Sequence, residues 1–330
     1  MARYGVRLEN DPKLTPQDYQ ELAKLADERG YETAWIPEGG GRDSLTSLAS
    51  IALNTERIRL GTGILPIFAR TPTNTAMGAA GMAAVSGDRF ILGLGVGHRP
   101  TVEAGDGVPF KQPMTRLRET IQIVRKLLSG EQVDFPGKHF KLSGASLGAA
   151  APTAKVPIYI AALGPQMLEM AGELADGVLM NWTSIAFIPQ AVVHIKRGAD
   201  KAGRDMSDID IAGYVRVAVG DGLANARASL QRQIAQYATN TFYANFFIET
   251  GFEREMNAAA AALAKGDLDK ASEAITPEMQ DEVAVLGTAG QCREALERRR
   301  AAGLQLPVIA PFAVGDNKTS HQLTIEALAH

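Results

Sequence analysis

The 330-residue chain holds a single cysteine, Cys292. One cysteine can form neither an internal disulfide nor a thiolate cluster, which fits a reducing compartment and argues against structural zinc. Histidine is also sparse. His98, His139, His194, His321 and His330 are scattered, without the close spacing of a metal-ligand motif, so no metal is expected. No uninterrupted apolar run reaches the length of a membrane span, and the opening MARYGVRLENDPKLT lacks an apolar segment of signal length. A cytoplasmic location is the expectation. The formal net charge is only −3, so neither nucleic acid nor a membrane surface is expected as a partner. The G-x-S-x-G elbow of serine hydrolases and the phosphate loop G-x-x-x-x-G-K-[ST] are both missing. The glycine run Gly93, Gly95, Gly97 places His98 where a dinucleotide fingerprint requires its last glycine. Hydrolysis, nucleoside triphosphate chemistry and a Rossmann site therefore fall in rank.

What is present is a long alternation of strand and helix. With 45% hydrophobic and 22% charged residues the chain can bury a large core. Apolar runs predict eight strands, near Arg3 to Leu8, Thr33 to Ile36, Ile58 to Leu65, Phe90 to Gly95, Pro157 to Ala161, Gly177 to Asn181, Ile209 to Val219 and Leu306 to Ile309. Amphipathic helical stretches separate most of them. Eight such units suggest an α/β fold of the TIM (β/α)8 barrel type, with residues 1 to 330 as one domain. The open, doubly wound sheet is the rival. Two segments exceed a minimal barrel. EQVDFPGKHFKL, residues 131 to 142, reads as a hairpin turning at Pro136-Gly137. Residues at about 238 to 285 read as a helical, aromatic-rich insertion between strands 7 and 8. There Tyr237, Phe242, Tyr243, Phe246, Phe247 and Phe252 fall within 16 residues. They could line a pocket for a planar ligand, form a dimer interface, or build simple core.

In a barrel the active site lies at the carboxyl ends of the strands. The residues found there in order are Glu9, Glu38, Gly63-Ile64, Gly97-His98, Leu163-Gly164, Asn181-Trp182, Arg216 and Phe312. The stretch VPIYIAALGPQM runs from a strand into Gly164-Pro165, where a helix begins abruptly. Its first N–H groups, from Gln166 and Met167 onward, suit an anion. An ordinary turn capped by water is the plain alternative.

WIPEGGGRDSL, ERIRLGTGILPIFARTP, SGDRFILGLGVGHRP, PIYIAALGPQMLEMAGELADGVLMN and VLGTAGQCREAL occur in consistent order. Together they resemble the bacterial luciferase-like flavin oxidoreductases, in particular the branch that uses the deazaflavin coenzyme F420 and includes methylenetetrahydromethanopterin reductases. The resemblance implies a phosphate of the coenzyme at Leu163, Gly164, Gln166 and Met167, with Asn181 a polar neighbour of the same tail. It implies close approach of the coenzyme to Val96 and Gly97, with Thr101 a tail contact, and a cis peptide at Gly63–Ile64 behind the ring. Glu38 matches a position near the deazaflavin and His98 a position that carries a catalytic glutamate in some relatives. Both are candidate catalytic residues, with an exposed loop carboxylate and a structural histidine as the plain alternatives. Arg42, Arg70 and Arg99 could meet carboxylates of the coenzyme tail. The implied activity is hydride transfer between F420 and a small organic substrate, in a homodimer. An FMN-dependent monooxygenase and a non-catalytic coenzyme-binding protein are the alternatives.

Overall fold

The computed structural model describes residues 3–8, 13–39, 41–312 and 315–329. Glu9 lies outside them. Its strands are β1 (Gly5–Arg7), β2 (Thr33–Ile36), β3 (Arg59–Thr62), β4 (Leu65–Pro66), β5 (Phe90–Gly95), β6 (Val133–Pro136), β7 (Lys141–Ala145), β8 (Ile158–Ala161), β9 (Gly177–Met180), β10 (Asp210–Val219), β11 (Ala284–Gly287) and β12 (Leu306–Pro311). Parallel pairing in the order β1, β2, β3, β5, β8, β9, β10, β12 returns to β1, so the sheet closes into an eight-stranded barrel. The hairpin read at residues 131 to 142 is present as β6 and β7, antiparallel, with a register shift between Val133 and Phe135.

Local chemistry sets the helix starts. Thr15 and Thr71 cap the helices Pro16–Glu28 and Pro72–Ser86 by accepting from the third N–H, with proline in the first turn of each. Gly87, at φ +61°, ends the second in the left-handed region.

The third predicted strand, read as continuous from Ile58 to Leu65, is interrupted. β3 ends at Thr62, the Gly63–Ile64 peptide is cis, and the short β4 resumes pairing with Leu94 and Gly95 of β5. A further strand, β11, lies where the sequence suggested none. It pairs with Arg216 to Val219, the upper half of the long β10, whose lower half pairs with β9. Four residues following the helix Pro277–Val283 without a breaker carry no sequence signal of their own. Between β10 and β11 run the helices Ala224–Gln236, Thr241–Glu249, Glu253–Leu263, Leu268–Glu273 and Pro277–Val283.

The barrel interior is filled by Trp35, Ile91, Tyr159, Leu179, Ala212, Tyr214, Leu306 and Val308. At its amino end Arg3 donates to both carboxylates of Glu32 and Asp210 at 2.7 to 2.9 Å, and Tyr159 donates to Asp210 at 2.8 Å. Higher up, the indole of Trp35 is fully buried over Gly61, where an added Cβ would lie 2.3 Å from a ring carbon. Gly61→Ala is therefore expected to destabilise the protein by about 1–3 kcal/mol through overpacking. Urea unfolding checks this; a midpoint equal to that of the parent would contradict it.

Candidate active site

The carboxyl end of the barrel is built around the Gly63–Ile64 peptide. The Gly63 N–H donates to the Ile36 carbonyl at 2.8 Å, and the Ile64 carbonyl accepts from the Glu38 N–H at 3.3 Å. Tyr214, rising from β10 across the interior, donates its hydroxyl to the Gly63 carbonyl at 3.1 Å. An added Cβ at Gly63 would stand 1.8 Å from that hydroxyl, so the position admits glycine alone. The Ile64 side chain in turn lies over β5. A Cβ at Gly95 would be 2.8 Å from it, and one at Gly93 would be 2.0 Å from the Thr62 carbonyl. Glycine at both positions lets the chain pass close beneath the isoleucine. The product is a ledge, Ile64 over Gly93 and Gly95 beside Ala161, which is partly exposed at the mouth. Val96 and Gly97 border it, with Gly97 at φ +70° against Val102 and Pro66. Thr101 opens a single π-helical turn, Thr101–Gly105, and is exposed.

On the opposite side of the mouth lie two arginines, one from each of two strands. Arg216, buried, holds its guanidinium 3.6 Å over the ring centre of Trp182, and Arg7 lies 5.3 Å over that of Tyr214. Such cation–ring contacts favour a charge withdrawn from water. Arg216 donates to Asn181 Oδ1 at 2.6 Å, and Asn181 Nδ2 donates to the Tyr243 hydroxyl at 2.8 Å. Both ends of the Asn181 amide are thus engaged within the protein. Burial pushes the Tyr243 phenol up to about 12, although Asn181, Arg216 and Arg7 pull it downward. Tyr243 belongs to the helix Thr241–Glu249, so this chain of bonds fastens that helix over the mouth. Tyr237 and Phe247 meet Trp182 edge-on, and Phe246 meets Phe187. Of the six clustered aromatics Tyr243, Phe246, Phe247 and Phe252 are core, while Phe242 is exposed.

His98 stands under the same helix. Its ring centre is 5.7 Å from that of Tyr243, and its Nδ1 is 3.5 Å from Asn240 Nδ2, at the start of the helix. An amide NH2 only donates, so this approach suits a neutral imidazole with its proton on Nε2. Although the residue as a whole remains exposed, desolvation of the ring against these neighbours holds its pKa below the ordinary 6.5.

Glu38 is held firmly. Oε2 accepts from the N–H and hydroxyl of Ser44 at 3.1 and 2.9 Å, and Oε1 faces Arg70 at 3.4 Å. Arg70 is shared with Asp43, which also caps the helix Ser44–Ala52. Arg42 donates to the Leu14 carbonyl and lies over Tyr19. Of the three arginines suggested for the coenzyme tail, only Arg99 stays largely exposed.

At β8 the chain leaves Ala161, passes buried Leu163 and enters the helix Pro165–Leu174. Gly164 is its N-cap and has no side chain to offer. The N–H groups of Met167 and Leu168 both donate back to the Gly164 carbonyl at 3.0 Å. Met167 is therefore not a free donor, and Gln166 is the first helical residue whose N–H has no partner among the described residues. A Cβ added at Gly164 would meet nothing within 4 Å. The helix start is thus an open cradle with a free N–H at the positive end of the dipole, which fits a phosphate.

The ledge, His98 and the helix start all lie at the mouth. Thr101 is peripheral to it, and Asn181 serves as a strut. Sequence reasoning missed Arg7, Tyr214 and Tyr243 as builders of the site; Tyr243 was visible only as one of a group of aromatics. Among the described residues no group of three or more His, Cys, Asp or Glu could hold a metal.

His98 provides a direct check of this arrangement. Between its folded midpoint and 6.5 only the unfolded chain takes up a proton, so this group's contribution to stability falls as pH drops through that window. The His98 resonance should titrate below 6.5 by NMR, and Tyr243→Ala should move the midpoint upward. A parent midpoint at or above 6.5 would contradict this desolvation.

The profile described as luciferase-like monooxygenase matches residues 2–306. A 5,10-methylenetetrahydromethanopterin reductase of Methanolobus tindarius is 34% identical over 313 residues, covering 94% of this chain and 93% of that protein. The enzyme of the same name from Archaeoglobus fulgidus is 31% identical, covering 97% of each. The solved structure of the coenzyme F420 dependent tetrahydromethanopterin reductase from Methanopyrus kandleri superimposes with a TM-score of 0.83 at 26% identity, covering 99% of this chain and 98% of that one. With its closed barrel and matching order of motifs, the chain belongs to the luciferase-like monooxygenase family.

Proposed function

We propose that the protein is an F420-dependent oxidoreductase that passes a hydride between the deazaflavin and a small organic substrate, in the manner of methylenetetrahydromethanopterin reductase. The observation that carries this reading is the pairing of the Ile64 ledge with the open helix start at Gly164, in a chain that is 34% identical to such a reductase across 94% of its length. The bound coenzyme supplies a ring carbon that gives or takes hydride. The chain supplies the rest. Ile64, backed by Gly93 and Gly95, offers an apolar platform for one ring face. Gly164 and the Gln166 N–H receive the phosphate. His98, neutral, accepts or donates a hydrogen bond at the rim, and the Thr241–Glu249 helix covers the mouth against water. Glu38, bound by Ser44 and Arg70, orients the loop after β2 beside the ledge and remains a candidate for contact with the coenzyme.

Fluorescence titration of parent and Gly164→Val protein with F420, and with FMN in parallel, tests the assignment. Gly164 has φ −75° and open space around it, so the variant should unfold at the parent temperature. F420 should bind more tightly than FMN, and the valine should weaken F420 binding about tenfold or more by crowding the phosphate. The loaded enzyme should reduce an acceptor such as methylenetetrahydromethanopterin without oxygen uptake. Tighter FMN binding with substrate-dependent oxygen uptake would favour the monooxygenase; binding without any turnover would favour a carrier.

Homodimer formation belongs to the same proposal. The helix Pro72–Ser86 carries no charged residue and exposes Met77, Gly81, Ala84 and Val85 on one side. An uncharged small-residue face of this kind suits a second copy. Met77→Glu should shift the sedimentation coefficient to that of a monomer; a parent that already sediments as a monomer would contradict the proposal. A cytoplasmic location is proposed from the one cysteine, a free, buried thiol. No described helix is long and apolar enough to cross a membrane.

A further inference from the structure

We propose that the cleft lined by Val108, Pro109, Lys111, Gln112, Arg116 and His139 binds the carboxylate-bearing tail of the coenzyme, an inference that rests on the F420 reading above. The cleft has a volume of about 530 Å³ and lies beside the start of the helix Pro113–Leu128. Its cations are not tied up in direct ion pairs, and Glu119 acts on Arg116 and His139 only through space. Lys111 and Arg116 make no ion pair among the described residues. The Arg116 guanidinium is held instead between the rings of Phe68 and Phe140, at 4.9 and 4.8 Å, with a single long bond of 3.5 Å to the Ile67 carbonyl. His139 Nε2 is buried without a hydrogen-bond partner. The acid nearest His139, Glu119, accepts instead the N–H groups of Lys138, His139 and Phe140 at 2.7, 2.9 and 3.1 Å.

The pattern continues toward the mouth. Phe110 stacks on Phe68 at 4.9 Å, and Arg99 lies 5.1 Å over Phe110, with Glu103 only at 4.0 Å. Arginine and phenylalanine thus alternate along Arg99, Phe110, Phe68, Arg116 and Phe140. Aromatic faces position guanidinium groups without cancelling their charge, which leaves the donors available to anions. Arg118 pairs with Glu173 at 2.5 and 2.8 Å, placing the helices Pro113–Leu128 and Pro165–Leu174 side by side with both starts at the mouth. Neighbouring helix axes lie about 10 Å apart, a gap that roughly three extended residues cross. A tail leaving a phosphate at Gln166 would cross to the neighbouring helix over such a span, and its several carboxylates match Lys111 and Arg116 in the cleft.

Equilibrium fluorescence titration with F420 carrying several glutamates, and with the same coenzyme stripped of them, tests the inference. In the parent the glutamates should tighten binding about tenfold at low salt, a gain that shrinks as added salt screens the cleft. The double variant Lys111→Ala with Arg116→Gln should lose that gain while binding the stripped coenzyme like the parent. Arg116→Lys alone, which keeps the charge, should retain most of it, and thermal unfolding of each variant verifies folding. Equal binding of both coenzyme forms by the parent, or a gain that survives in the double variant, would overturn the tail site and leave the coenzyme assignment standing. Failure of both forms to bind the parent would overturn both.

Discussion

The hydrogen bond from the Tyr214 hydroxyl to the Gly63 carbonyl joins β10 to the end of β3 across the barrel, and the mouth is organised around it. It holds at a point where no side chain could stand, and it fixes the height at which Ile64 emerges. The Ile36 carbonyl and the Glu38 N–H hold the peptides on either side of the Gly63–Ile64 bond, from β2 and the loop after it. Gly93 and Gly95 remove the side chains that would lift the isoleucine away from β5. The platform is therefore set by three strands and a phenol. A flat cofactor gains from such a surface because it need not be reorganised when the ligand arrives.

The charged groups follow the same logic of fixed position. Glu38, Arg70 and Asp43 form a closed set on one side of the mouth, so the loop after β2 is tied to the start of the next helix. On the other side Arg216 organises Asn181, and Asn181 organises Tyr243. Because the arginine donates to the amide oxygen, the amide nitrogen must point at the phenol. The Thr241–Glu249 helix is thereby docked onto the barrel by a polar chain as well as by Phe246 and Phe247. Its position over His98 withdraws part of that otherwise exposed ring from water, which lowers the imidazole pKa.

Much of this was legible in the sequence, for identifiable reasons. Helix starts announce themselves locally, as in Thr15-Pro16 and Thr71-Pro72, and the cis peptide at Gly63–Ile64 was carried by the resemblance of GTGILP. The open start at Gly164 was visible because glycine followed by proline leaves a helix without a side-chain cap. What escaped depends on partners distant in the chain. β11 is a strand only because the upper half of β10 has a free edge beside it. Nothing near Asn181 in the chain shows that its amide also bonds Arg216 and Tyr243, 35 and 62 residues away. Tyr214 gives no sign in its own neighbourhood that its hydroxyl meets Gly63, which is 151 residues distant. The Met167 N–H turns back to Gly164, a detail of the first turn that sequence does not specify.

In the proposed complex one coenzyme spans the Ile64 ledge and the Gly164 helix start. A crystal structure of the F420 complex measures this most directly. The deazaflavin ring should lie against the Ile64 side chain, with a phosphate oxygen within hydrogen-bond distance of the Gln166 N–H. A ring seated elsewhere in the barrel mouth, or a phosphate bound away from the Pro165–Leu174 helix, would contradict it.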